Sequence, residues 1–392
     1  MSATPGRGTN SNSFRLALGG LGALAAGLGI GRFVYTPILP VMVQALGLTT
    51  AEAGLIASAN FLGYLAGAIV ARSRHIRGSR RTWLLMALAV NGVAIVAMGA
   101  TTALAHHLML RVIGGGASAF ILIFASALVL DSPTVGDEAS SVHFAGVGFG
   151  IIISAATVAL LFYFGVSWRW LWFVNGVTCI LLLAAVASLI LDDHGAPALR
   201  VSESHHRLPL KLRLLVAAYG LFGFGYVITA TFLVAIVRRS QAIAPLEPWI
   251  WIVFGVCAMP SVALWNHLSS QWGILNTFAV ACLVEAIGVA ADLIGTAVAG
   301  VLLAAILLGG TFMGLTALGL GAAYNLSTGE PRRIIALMTA AFGTGQIVGP
   351  ALAGLMVDKL GSFTAPTLAA ATSLVIAAIL ALCIRARKIN AL

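Results

Sequence analysis

Long apolar runs alternate with short polar breaks along the whole chain. Twelve of these runs reach the ~17–25 residues that a helix needs to cross a bilayer. They lie near 15–43, 51–71, 82–103, 107–130, 142–164, 169–191, 212–237, 248–267, 274–294, 297–324, 333–357 and 364–385. None shows the two-residue alternation of a membrane β-strand. The pattern predicts an all-α integral membrane protein with twelve transmembrane helices. The longest polar break, Asp192 to Arg213, falls mid-chain and divides the runs six and six. The expected layout is a disordered N-terminus at 1–13, a six-helix bundle at 14–191 and a linker at 192–212. A second bundle at 213–386 and a tail at 387–392 complete it. The first run is too long for a signal peptide and carries Arg32, so it reads as a retained helix.

An internal repeat supports two pseudo-symmetric halves. Gly29-Ile-Gly31-Arg32 in helix 1 aligns with Gly223-Phe-Gly225-Tyr226 in helix 7. Gly146-Val-Gly148-Phe149 in helix 5 aligns with Gly343-Thr-Gly345-Gln346 in helix 11. The shared six-helix offset is that of a parallel pair of bundles.

Composition agrees: 60% of residues are hydrophobic and 9% charged, against ~25% charged in a soluble domain. The net charge of +10 reflects how helices are flanked rather than a nucleic-acid surface. Placing the N-terminus inside puts Arg7, Arg15, Arg72, Arg74, Arg77, Arg80, Arg81, Arg200, Arg207, Lys211, Arg213, Arg332, Arg333, Arg385, Arg387 and Lys388 on that side. Only Arg169, Arg238, Arg239 and Lys359 fall outside, 16 against 4. The positive-inside rule then predicts both termini in the cytoplasm. One inner loop, Asp131 to Ser141, carries only acids.

No enzyme constellation is visible. Gly146-x-Gly148-x-Gly150 echoes a nucleotide loop, but no strand precedes it, and small residues pack helices. Cys179, Cys257, Cys282 and Cys383 lie in apolar runs without metal spacing, and the His106–His107 pair has no further ligands. No cofactor, metal or nucleic-acid partner is expected, and the chain reads as a monomer in lipid.

Several patterns resemble the major facilitator superfamily across nearly the whole length. Pro37-Ile-Leu-Pro40 is similar to its helix-1 end, and Arg111-Val-Ile-Gly-Gly-Gly116 to its helix-4 signature. Gly345-Gln346-Ile-Val-Gly349-Pro350 is similar to its helix-11 pattern. Gly-Arg-Phe-x-Tyr-Thr-Pro-x-Leu-Pro together with His143-Phe-Ala-Gly-Val-Gly-Phe-Gly150 resembles the bacterial YbfB/YjiJ branch. The helix 2–3 loop departs from the superfamily pattern: Ala71 stands where an Asp is usual, and arginines follow. The resemblance implies a secondary transporter that alternates access in the inner membrane, with helices 1 and 4 lining the central cavity.

Arg32 is then the most informative residue. A charge inside a membrane helix costs about 2.5–3.5 kcal/mol on insertion scales, and a planar guanidinium pairs bidentately with carboxylate or phosphate. Arg32 and Arg111 are the expected anion-binding pair. Glu52 is the one acid placed to neutralise them. Tyr35, Asn60, Tyr64, Tyr226, Thr229, Thr311 and Gln346 are the remaining substrate-binding candidates. Glu285, Glu52 and His143 are candidates for proton coupling, with His143 expected to be exposed and Asp292 solvated. The expected substrate is a small organic anion. The alternatives are a proton-driven drug or metabolite exporter and, from another class, a non-transporting receptor or assembly factor.

Overall fold

The computed structural model describes residues 7–71, 73, 76, 78–132, 136–191, 208–239, 241, 243–291, 293, 298–327 and 331–389. The arginines at 72, 74 and 77, Asp292 and most of the expected linker lie outside the described residues. Among the described residues fourteen α-helices follow one another and no strand occurs. They are α1 (Arg7–Leu24), α2 (Tyr35–Leu46), α3 (Thr50–Ala71), α4 (Arg80–Ala100), α5 (Leu104–Leu130), α6 (Asp137–Tyr163) and α7 (Trp168–Leu189). The second half holds α8 (Leu210–Arg239), α9 (Glu247–Ala258), α10 (Ser261–Trp272), α11 (Ile274–Ala291), α12 (Val298–Leu326), α13 (Pro331–Leu360) and α14 (Thr364–Ile389).

Two expected spans are broken. The first runs through α1, a π-turn at Ala25–Ile30 and α2, and the eighth is the pair α9 and α10, bent by 42°. Eleven spans, or twelve with that pair as one, are long and apolar enough to cross a membrane. Residues 7–13, expected to be disordered, are instead helical. Extending a helix outward from an apolar segment already fixed costs far less than nucleating one.

The packing falls into two halves that meet along a seam. Within the first half α3 packs on α5, α4 on α7 and α1 on α6; within the second α8 packs on α13 and α14, and α11 on α12. Glycine lets these backbones approach. A Cβ at Gly29 would stand 2.6 Å from Val147 O of α6, and one at Gly345 would stand 2.2 Å from Gly220 O of α8. The repeated Gly-x-Gly segments thus make matching helix crossings in both halves.

Across the seam α2 meets α8, α3 meets α13 and α6 meets α9. These contacts concentrate away from the chain termini, on what we call the far side. Thr36 Oγ1 donates to Ala230 O at 2.8 Å and Ser58 Oγ to Ile347 O at 2.7 Å. Asp358 accepts from Thr50 N at 3.0 Å and Ala51 N at 2.8 Å, capping the start of α3 from the opposite half. On the termini side α6 only briefly touches α10, which the 42° bend carries away. The seam is sealed on the far side.

Candidate functional site

The break in helix 1 creates the centre of the molecule. In the π-turn Gly31 N bonds Ala26 O, one residue further back than in an α-helix. That extra residue turns every later side chain by about 100° from its α-helical bearing. Backbone carbonyls around the break are met from two other helices, α4 and α5. Asn91 Nδ2 donates to Ala26 O at 3.0 Å and Ser118 Oγ to Gly27 O at 2.6 Å. Arg111 Nη1 and Nη2 donate to Gly31 O and Arg32 O, each at 3.2 Å. Inside a bilayer such backbone groups have no water to turn to, so these side chains are what permit the break.

Arg111 is therefore a brace. Its guanidinium also lies 5.0 Å from the Tyr35 ring centroid; Tyr35 donates to Ala53 O at 2.8 Å, and Asn60 Nδ2 donates to Arg111 O at 3.1 Å. Its Nη1 and Nη2 are thus occupied by backbone, while Nε is buried with no hydrogen-bond partner among the described residues.

Arg32 is held differently. Its guanidinium carbon sits 4.3 Å from the Tyr64 centroid, 4.9 Å from Phe61 and 5.7 Å from Phe33. Nε and Nη2 are buried with no hydrogen-bond partner among the described residues. Ring faces can return up to ~2 kcal/mol each to a desolvated cation, and the Tyr64 hydroxyl lies within hydrogen-bonding reach of the guanidinium. Glu52 does not neutralise it: its carboxylate accepts from Thr49 N at 2.8 Å while Glu52 N bonds Thr49 Oγ1 at 3.1 Å. That reciprocal pair is a capping box at the start of α3.

Facing Arg32 from the second half is Tyr226, its partner in the internal repeat, which lies within electrostatic reach of Arg32, Tyr64 and Glu285. Gln346 Nε2 donates to the Tyr226 hydroxyl, and Gln346 Oε1 has no partner among the described residues. The Tyr226 ring stacks on Phe342 at 5.7 Å and 6° and on Phe312 at 5.9 Å and 16°. Phe33 reaches across the seam to Phe312 at 5.7 Å. The centre is an aromatic box with a guanidinium on one wall and a tyrosine–glutamine pair on the other.

Behind it, Glu285 of α11 is fully buried, with Thr311 beside it. Thr311 Oγ1 donates to Leu307 O at 2.7 Å. Thr229 is buried with its hydroxyl unpartnered among the described residues. His143, expected to be exposed, is buried against Gly20, with Nε2 3.0 Å from Ser126 Oγ; it packs α6 on α1, away from the box. The acid in the 131–141 loop also has a purpose, since Asp131 pairs with Arg80 at 2.9 Å. Among the described residues no group of acids, histidines and cysteines could hold a metal, and all four cysteines are free.

Residues 24–382 match the family model described as uncharacterised MFS-type transporter YbfB. The chain belongs to this MFS transporter family. Two solved structures share the family fold. One is the nucleoside transporter NupG as a D323A mutant, 14% identical over 95% of this chain and 99% of that chain, with a TM-score of 0.73. The other is NupG itself, 15% identical over 96% and 98% of the two chains, with a TM-score of 0.68. No curated protein matches the sequence.

Asn91 and Ser118 are the functional residues that sequence reasoning missed. A lone polar residue in an apolar helix was the available signal, but nothing in spacing says which backbone it will meet.

Proposed function

We propose that this transporter carries a small organic anion across the cytoplasmic membrane, with Arg32 as the group that pairs with it. The reading rests on one observation: Arg32 is 7% exposed, yet Nε and Nη2 have no hydrogen-bond partner among the described residues. Both donors are ready for the planar oxygens of a carboxylate. Tyr64, Tyr226 and Gln346 complete the pocket, and Asn60, Tyr35 and Arg111 hold helix 1 in place. The bundles at 14–191 and 213–386 rock about the centre, with the termini side facing the cytoplasm. Glu285, adjoining Tyr226, is the group proposed to bind a coupling proton.

A second reading follows from the stacked Tyr226, Phe342 and Phe312 rings with the Gln346 amide. Such a wall suits a neutral planar solute, as a nucleoside would be. Counterflow into proteoliposomes decides between them. Uptake of aromatic and aliphatic carboxylates that falls at least ~100-fold in Arg32→Gln supports the anion. Nucleoside uptake unchanged in that variant overturns it. Transport of cationic drugs that requires Glu285 favours an exporter.

A further inference from the structure

A cavity of about 350 Å³ lies on the far side of the seam. It is separate from the aromatic box. Leu39, where α2 begins to line it, is seven residues beyond Arg32, roughly 10 Å along a helix. Its walls come from both halves: Leu39 and Val43 from α2, Phe232 and Ala235 from α8, and Phe363 just ahead of α14. A volume of this order falls at the lower end of small-molecule sites, which combine apolar walls with a few polar groups.

Two arginines line it, and they differ. Arg238 is ion-paired: Nε donates to Glu247 Oε2 at 2.7 Å and Nη2 lies 2.6 Å from Oε1. Arg239 has no ion pair among the described residues. Its guanidinium stacks 4.8 Å from the Phe363 centroid, and Nη2 reaches Thr50 Oγ1 at 3.3 Å. A guanidinium carries five donors, so most of its capacity is open to the cavity mouth.

We propose that this cavity is a second ligand site, for a compact aromatic carboxylate arriving from the far side. The ring lies between Leu39, Val43 and Phe232, and the carboxylate pairs with Arg239. Because the walls belong to opposite halves, the cavity exists only while the far side is closed. A ligand that binds one state alone draws the population toward it. Occupancy therefore holds the far side shut and slows transport, with Arg32 taking no part.

The test uses purified full-length protein, with 2-naphthoate as probe and 2-naphthamide as its neutral counterpart. Naphthoate is expected to raise the melting temperature and to bind about tenfold more tightly than the amide. Arg239→Gln should abolish that preference, and Ala235→Phe, which fills the cavity and keeps the cation, should abolish binding of both. Arg32→Gln should leave both results unchanged, which separates this site from the central one. In membranes, naphthoate should slow labelling of an Ala230→Cys variant, a position buried at the closed seam, by an impermeant maleimide applied from the far side. Stabilisation that survives Ala235→Phe but is lost in Arg32→Gln would place the probe in the aromatic box and overturn the proposal. An absence of stabilisation at ~1 mM naphthoate, where even weak sites are half filled, would overturn it too.

Discussion

Arg32 and Arg111 are the two cations buried in the first half, 7% and 4% exposed, and the protein solvates them in opposite ways. Arg111 uses Nη1 and Nη2 on carbonyls that the break in helix 1 sets free. Arg32 is supported by ring faces, which stabilise its charge while leaving donor directions open. Depth and charge alone would give the two residues the same role. What separates them is where the donors point: a cation whose hydrogen bonds end on backbone holds structure, and one cushioned on π-faces is kept for something that arrives.

The largest effect that would break this contrast concerns function and stability together. Arg32→Met should reduce transport at least ~100-fold, about 2.7 kcal/mol of lost stabilisation, while the melting temperature in detergent stays level or rises. Removing a charge whose Nε and Nη2 have no partner among the described residues relieves the ~2.5–3.5 kcal/mol insertion cost. Equal destabilisation by Arg32→Met and Arg111→Met would end the distinction.

Arg111→Met comes next. It strands Gly31 O and Arg32 O in a dry environment, at about 1–3 kcal/mol for each group. A lowered melting temperature and weak expression are expected. Arg111→Lys should recover little, because a single ammonium cannot span both carbonyls as the fork does. Full rescue by lysine would reduce Arg111 to a point charge. Asn91→Leu, which removes the bond to Ala26 O, sharpens the comparison at smaller scale. It should cost about 1–2 kcal/mol and raise the KM for substrate through a misaimed Arg32. An unchanged KM would detach the π-turn from the site.

Much of this was legible in the chain, and its limits have physical causes. Twelve spans and their division into halves follow from apolar run length, because a bilayer imposes one length on every helix. The pairing of Arg32 with Tyr226 was visible as a repeat, since Gly-x-Gly marks the close crossings that both halves need. The break in helix 1 was not visible: an apolar run with glycines reads as a continuous helix until the side chains that relieve it are in place. Residue type also failed to separate the two arginines. Glu52 illustrates a missed local rule, for Thr49-Thr-Ala-Glu52 is a capping pattern, and that signal outweighed any long-range pairing with a cation. The burial of His143 depended on Gly20 in another helix, which no local pattern reports.

Asp358 extends the same reasoning to an anion and carries the smallest prediction. Both its carboxylate oxygens are used on Thr50 N and Ala51 N, so by the rule drawn from Arg111 it holds structure and does not bind a solute. Its partners belong to the opposite half, and the structure it holds is the far-side closure. Replacing a helix cap by alanine costs about 1 kcal/mol, which corresponds to roughly a fivefold change in an equilibrium. Asp358→Ala should therefore speed labelling of an Ala53→Cys variant from the far side by about that factor, leaving substrate affinity at Arg32 unchanged. If affinity fell while labelling stayed constant, Asp358 would belong to the binding chemistry. Backbone-bonded charge would then no longer mark a purely structural role.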